Sequence, residues 1–238
     1  MSALLEIKDL WGGYTEGVDI LRGINMEVHQ GEAVGIIGLN GSGKSTLGKA
    51  IMNMIPYRRG QILFNGEDIT GLRTDQLAKR GIAIMQQGGR VFPNLSVWDN
   101  IQLAARFNHS QFSFFNSQLV DIIPLLQRPK RELQHLMADK LSGGQKCQLS
   151  LTNTLIQQPF FVVLDEPSAG LSPKTVFLYQ ILKKIRHISD TSFIIIEHDA
   201  FLVSDICNTV VQISQGLVNQ RCECTDYEVN QNNKTNND

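Results

Sequence analysis

The sequence is poor in everything that would mark an extreme class. Its 238 residues include four cysteines, seven prolines and 7 % aromatic residues, and the formal net charge is −1. Four cysteines in so long a chain are too sparse for a disulfide scaffold. Cys222 and Cys224 are one residue apart, but no His or Cys pair stands at a zinc-site spacing from them, so all four cysteines read as ordinary reduced thiols. A near-zero net charge supplies no overall attraction to a polyanion, and no nucleic-acid partner is expected. Apolar runs such as FFVVL and FIII fall far short of the roughly 18 residues that a membrane-crossing helix needs. The start, MSALLEIKDL, lacks the basic head and long apolar stretch of a secretory signal. These absences lead us to expect a soluble, cytosolic chain. What is present, 42 % hydrophobic and 19 % charged residues, suits a globular protein with length enough for a buried core.

Hydrophobic patterning gives the elements. LLEIKDL (4–10) and INMEV (24–28) have strand length and clustering. AVGIIG (33–38), GIAIMQQ (81–87), FFVVLDEP (160–167) and SFIIIEHD (192–199) carry continuous apolar runs, as expected of strands covered on both faces. KSTLGKAIMNM (44–54) lacks proline and reads as a helix ended near Pro56, and Asn65-Gly66 as a turn between short strands. Residues 88–140 favour helix, with breaks at Pro124 and Pro129. A further helix is expected to begin within or just after LSGGQ (141–145) and run to about Gln158. Ser172 and Pro173 suit the cap and first position of a helix whose stripe is Leu178, Ile181, Leu182, Ile185 and Ile188. TVVQIS and GLVNQ suggest a closing hairpin, and NQNNKTNND an unstructured tail. Buried strands alternating with helices predict an α/β fold with a mostly parallel sheet covered on both sides.

Three motifs carry chemistry. GLNGSGKST (38–46) satisfies G-x-x-x-x-G-K-[ST] through Gly38, Gly43, Lys44 and Ser45, between a buried strand and a helix. Glycines let successive N–H groups point at phosphate oxygens, the helix start adds a positive dipole end, and Lys44 adds a full charge. Asn40, Gly41, Ser42 and Thr46 complete the candidate nucleotide-binding loop, and the Ser45 hydroxyl is suited to Mg²⁺. Asp165 and Glu166 close a buried strand at its carboxyl end, where open parallel sheets bind ligands. Asp165 is the candidate metal carboxylate. Glu166 is the candidate base, or orienter, of a water beside the γ-phosphate. LSGGQ is a second glycine loop without a lysine. Its Ser142, Gly143, Gly144 and Gln145 lead into a helix and offer N–H groups and a hydroxyl to an anion. A chain that holds its own nucleotide at 38–46 has no need of it there, and the simplest recipient is the γ-phosphate on another copy, in a two-fold head-to-tail pair.

GLNGSGKST, LSGGQ, VVLDEP and EHD, in this order, resemble the ATP-binding subunits of ABC transporters across nearly all of residues 4–220. The resemblance implies a P-loop NTPase (ABC ATPase) core with an antiparallel β subdomain and a small helical subdomain at about 88–158, all within one domain at 1–225, followed by a tail at 226–238. It implies ATP and Mg²⁺ as ligands. The partners implied are a second ABC ATPase subunit and integral membrane permease subunits, with the chain cytoplasmic and peripheral on the inner face of the membrane. It gives Tyr14 the adenine-stacking position, Gln87 rather than Gln86 the contact to Mg²⁺ or water, and His198 the contact to the γ-phosphate. SAGLSP (168–173) corresponds to the loop that crosses the dimer interface. GGRVFPNLSVWDNI (88–101) and LDEPSAGLSP resemble subunits of branched-chain amino acid importers, and the SQGLV ending resembles lipopolysaccharide-export ATPases. Within about 88–135, Phe92, Leu95 and Trp98 are candidate contacts for a permease helix, with core packing the expected fate of at least two. One departure stands out. Where the family carries basic residues after LSGGQ, this chain has KCQLSLTNTL, with Lys146 alone retaining a charge. The catalytic positions are intact, so ATP hydrolysis coupled to transport is expected; the alternatives are a cassette that binds ATP without cleaving it, which the altered helix favours, and a soluble ABC ATPase working outside transport.

Overall fold

A computed structural model describes residues 3–105, 118–169 and 176–224. The expected cap at Ser172-Pro173, most of the interface loop and the 226–238 tail lie outside the described residues. Strands β1 (Leu5–Gly13), β2 (Leu21–Val28), β4 (Tyr57–Phe64) and β5 (Glu67–Asp68) form an antiparallel sheet in the order β2-β1-β4-β5. Strands β3 (Ala33–Ile37), β6 (Ile82–Met85), β7 (Phe161–Asp165), β8 (Ser192–Ile196), β9 (Thr209–Ser214) and β10 (Leu217–Glu223) form a second sheet, β10-β9-β3-β8-β7-β6. Its pairings are parallel except for the β9–β10 hairpin. The expected mixture of a mostly parallel sheet and an antiparallel one is therefore present.

The continuous apolar runs are explained by what covers the larger sheet. Along β7, Phe161 and Val163 enter one core while Val162 and Leu164 enter the other. The same alternation splits Ile194 and Ile196 from Phe193 and Ile195 on β8. One core joins the helix Lys44–Ile51 to the antiparallel sheet, and the other joins the helices Val97–Ala105, Gly143–Leu155 and Val176–Ile188. Each fully buried aliphatic or Phe side chain is worth roughly 1.5–3 kcal/mol, so the two layers hold the strand ends rigidly.

Where element ends differ from expectation, the backbone gives the reason. The helix from Lys44 stops at Ile51 rather than near Pro56. Asn53 takes φ 53°, its N–H reaches the Ala50 carbonyl at 3.0 Å, and the Met54 N–H reaches that of Lys49 at 2.8 Å. This is a left-handed helix stop with Asn in the glycine position. The helix after Ser142 ends at Leu155 rather than Gln158, which has φ 53°. The Asn65-Gly66 and Gln215-Gly216 turns both have positive φ, 50° and 78°, then 52° and 79°, as tight hairpins require. Between β6 and β7, every regular element among the described residues is helical, with a 3₁₀ turn at Pro124–Gln127 and a helix starting after Pro129. No helix among the described residues is long and apolar enough to cross a membrane.

Candidate active site

β3 delivers the chain into the first glycine loop. Gly41 and Gly43 have φ 77° and 108°, and a Cβ on Gly38 would lie 2.2 Å from the Ile213 carbonyl oxygen, so the loop is pressed against the end of β9. The Ser42 carbonyl accepts from the Gly216 N–H at 2.9 Å in the β9–β10 turn. With that carbonyl drawn aside, the loop opens with the start of the Lys44 helix toward a cleft of about 410 Å³, lined by Ile20, residues 40–46, Gln87, Glu166 and His198. The Ser42 hydroxyl is buried and has no hydrogen-bond partner among the described residues. Lys44 is 4 % exposed, and its Nζ donates to the carbonyls of Gly38 (2.7 Å) and Leu39 (3.0 Å). Burial lowers its pKa, against the opposing charges of Glu166, Asp165 and Glu197.

The end of β7 supplies the acids. Asp165 is 2 % exposed, and the Ser45 hydroxyl donates to its Oδ1 at 2.7 Å. Burial raises the Asp165 pKa, the Ser45 hydrogen bond pulls it down, and Glu166 pushes it up again, with a net rise. Glu166 has φ 46°, a left-handed conformation that costs a non-glycine residue roughly 1–3 kcal/mol and tends to persist at functional sites. Its carboxylate holds two side chains. Gln87 Nε2 donates to Oε2 at 2.6 Å, and His198 Nε2 lies 2.7 Å from Oε1. Gln86 instead reaches Met54 Sδ at 4.0 Å. β6, β7 and β8 thus bring together three residues distant in sequence.

The remaining candidates lie apart. Tyr14, just beyond β1, is 46 % exposed. Lys49 Nζ donates to its hydroxyl at 3.3 Å and sits 5.6 Å from its ring centre, so the ring stands beside the phosphate-loop helix without lining the cleft. In LSGGQ, Ser142 caps the helix Gly143–Leu155. Its Oγ accepts from Gln145 N–H at 3.3 Å, and Gln145 Oε1 accepts from Ser142 N–H at 3.0 Å. The reciprocal box satisfies two donors; the N–H groups of Gly143 and Gly144 precede the first intrahelical bond. None of residues 142–145 lines the 410 Å³ cleft. Phe92 is 57 % exposed, whereas Trp98 packs against the core beneath Lys130, whose Nζ is 4.5 Å from its ring.

The motif reading passed over Glu197. It is 2 % exposed, and its Oε1 accepts from the Ser168 N–H at 3.0 Å. Its sequence signals are its place at the head of EHD, where only His198 is given a role, and an acid closing an otherwise apolar strand.

Comparison with known proteins agrees with this architecture. Residues 21–169, more than half of the chain, match the family described as ABC transporter. Similar proteins include the phosphonates import ATP-binding protein PhnC of Alcaligenes faecalis, 33 % identical over 90 % of this chain and 81 % of that protein. The lipopolysaccharide export system ATP-binding protein LptB of Escherichia coli K12 is 30 % identical over 90 % and 88 %, and the cell division ATP-binding protein FtsE of Bacillus subtilis 28 % over 90 % and 94 %. Among solved structures, cbiO1 from Clostridium perfringens, part of the ABC transporter complex cbiONQ, superposes with a TM-score of 0.81 at 25 % identity, covering 97 % of this chain and 92 % of that one. The ATP-binding cassette MJ0796, a dimer bound to ADP and Pi, gives 0.78 at 22 % identity over 92 % and 98 %, a likeness of fold. The chain belongs to the ABC transporter family, as one of its ATPases.

Proposed function

We propose that this chain is the ATP-hydrolysing subunit of an ABC transporter, and that it closes head to tail with a second cassette, identical or homologous, around two ATP to drive integral membrane permease subunits. The observation that carries this is Glu166, a carboxylate at the mouth of the phosphate loop gripped by Gln87 and His198 at 2.6 and 2.7 Å. In this reading Lys44, Ser42 and the loop N–H groups bind the phosphates, Tyr14 stacks on the base, and Glu166 takes or orients the proton of the attacking water. His198 holds Glu166 and meets the γ-phosphate. Ser45, Asp165 and Gln87 present hard oxygens of the kind Mg²⁺ takes. When bound, Mg²⁺ supplies neutralising charge for the phosphates. The buried Ser42 hydroxyl without a protein partner fits an oxygen-rich ligand.

Ser142, Gly143, Gly144 and Gln145 serve the opposing subunit's nucleotide, a reading supported by their absence from the chain's own cleft. Residues 88–158 act as the helical subdomain of one domain at 1–225. A groove of about 530 Å³ between β6, Phe92, Leu103 and Asn153 suits a helix of the permease. The chain then sits peripherally on the cytoplasmic face. For cargo we favour branched-chain amino acids or similar small polar solutes, on the resemblance of residues 88–101 and 164–173. The likeness to LptB favours lipopolysaccharide export as the second reading.

Glu166→Gln tests the centre of the proposal. ATP affinity is expected to stay within about twofold while turnover falls by about 10² or more, the scale of losing a positioned base, and an ATP-bound dimer accumulates. A parental rate of phosphate release from this variant refutes the assignment.

A further inference from the structure

Glu197 is a buried carboxylate that no part of the proposed chemistry uses, yet it lies beneath both loops that meet at Glu166. Its Oε1 accepts from Ser168 N–H at 3.0 Å, and its Oε2 from His198 N–H at 3.4 Å. Ser168 belongs to the turn opened by Glu166, which closes through Ala169 N–H on the Glu166 carbonyl at 3.0 Å. The same turn is held from the other side, where the buried Cys147 thiol of the LSGGQ helix donates to the Pro167 carbonyl at 3.2 Å. The Glu197 backbone is itself fixed, its N–H bonded to the Ile36 carbonyl of β3 at 3.1 Å.

We propose that Glu197 is a positioning residue, whose two carboxylate oxygens set the separation of the Glu166 turn and the His198 loop and so preserve the 2.7 Å contact between them. This rests on the reading of Glu166 as the hydrolytic base. The physical reason for an acid here is its acceptor-only chemistry. Two N–H donors converge on one buried group, and a carboxylate satisfies both. An amide of the same shape must turn its NH₂ toward one of them and leave that N–H unsatisfied in a buried setting. The loop so released carries either Glu166 or His198, and small misplacements of such groups cost large factors in rate. Cys147 extends the arrangement: the turn that bears the base is tied both to the His198 loop and to the helix capped by Ser142.

The test is steady-state hydrolysis and ATP-binding calorimetry on Glu197→Gln in the full chain, beside Glu166→Gln. At a temperature where both are folded by circular dichroism, we expect kcat to fall about ten- to hundredfold, the scale of one charged hydrogen bond lost at a positioning contact. KM and ATP affinity stay within about twofold. A kcat within about twofold of the parent, or a fall matched by an equal loss of ATP affinity, overturns the proposal. Should the glutamine variant not fold, Glu197→Asp, which keeps the charge but shortens the reach, is measured by the same criteria. A parental rate in Glu166→Gln removes the base assignment whatever Glu197 does, whereas a parental rate in Glu197→Gln beside an inactive Glu166→Gln removes only the present inference.

Discussion

Asp165 shows how a candidate site residue can oppose the stability of the protein that carries it. It is 2 % exposed, and burial raises its pKa above the ordinary carboxylate value of 3.8. A raised carboxyl pKa means that the folded state binds the proton more tightly than the unfolded state. Its contribution is therefore fully present below the unfolded value and is lost as pH rises through the folded one. At neutral pH the buried charge is a net cost. We predict that Asp165→Asn raises the thermal midpoint of the nucleotide- and metal-free protein at pH 7.5 by roughly 2–4 °C, a modest stability change in a domain of this size. The gain should shrink as the buffer approaches pH 4. Calorimetric scans at several pH values measure it, and an unchanged or lower midpoint at pH 7.5 contradicts it. The sequence marked Asp165 and Glu166 by residue type and place at a strand end, and Gln87 and His198 through its resemblance to ABC ATPases. It gave no means of seeing that one carboxylate grips the other two side chains, that Glu166 is left-handed, or that Glu197 lies below, because each of these depends on how three strands register across the sheet.

At the level of elements, the apolar runs were legible because a strand covered on both faces has little alternative to being apolar throughout. Less legible was the beginning of β4. Tyr57-Arg58-Arg59-Gly60 has no hydrophobic periodicity, yet it pairs with β1 through Gly13↔Tyr57 and Trp11↔Arg59, and Arg59 lies 4.6 Å from the Trp11 ring centre. That pairing is decided by the partner strand. Close approach was hidden for the same reason. Gly35 sits within β3, where an added Cβ would meet Val203 Cγ1 at 1.9 Å and Cys207 Sγ at 3.2 Å. Gly35→Ala is predicted to destabilise the fold by about 1–3 kcal/mol through overpacking between strand and helix. Because β3 feeds the phosphate loop, ATP affinity should fall as well. Urea unfolding with nucleotide titration reads both effects, and full stability in the alanine variant would show that the helix 200–204 yields freely.

For the whole molecule, the arrangement of its two glycine loops points to assembly. One loop lines the chain's own cleft and the other does not. In a background of Glu166→Gln, Ser142→Arg is expected to leave ATP binding to the monomer within about twofold. It should abolish the ATP-induced doubling of mass in light scattering, since a bulky cation at a closing interface is costly to desolvate. An unimpaired dimer would place Ser142 away from the interface. The chemistry available to this protein was determined by its sequence alone. Phosphate loops, strand-end acids and glycine caps act through local backbone conformation and residue type, and both are encoded within a few neighbouring positions. The tertiary structure alone decided which of those groups meet. The contacts of Glu166 with Gln87 and His198, and of Glu197 with Ser168, join residues from separate strands or loops, and only the registered stacking of β6, β7 and β8 between two packed cores brings them within hydrogen-bond reach.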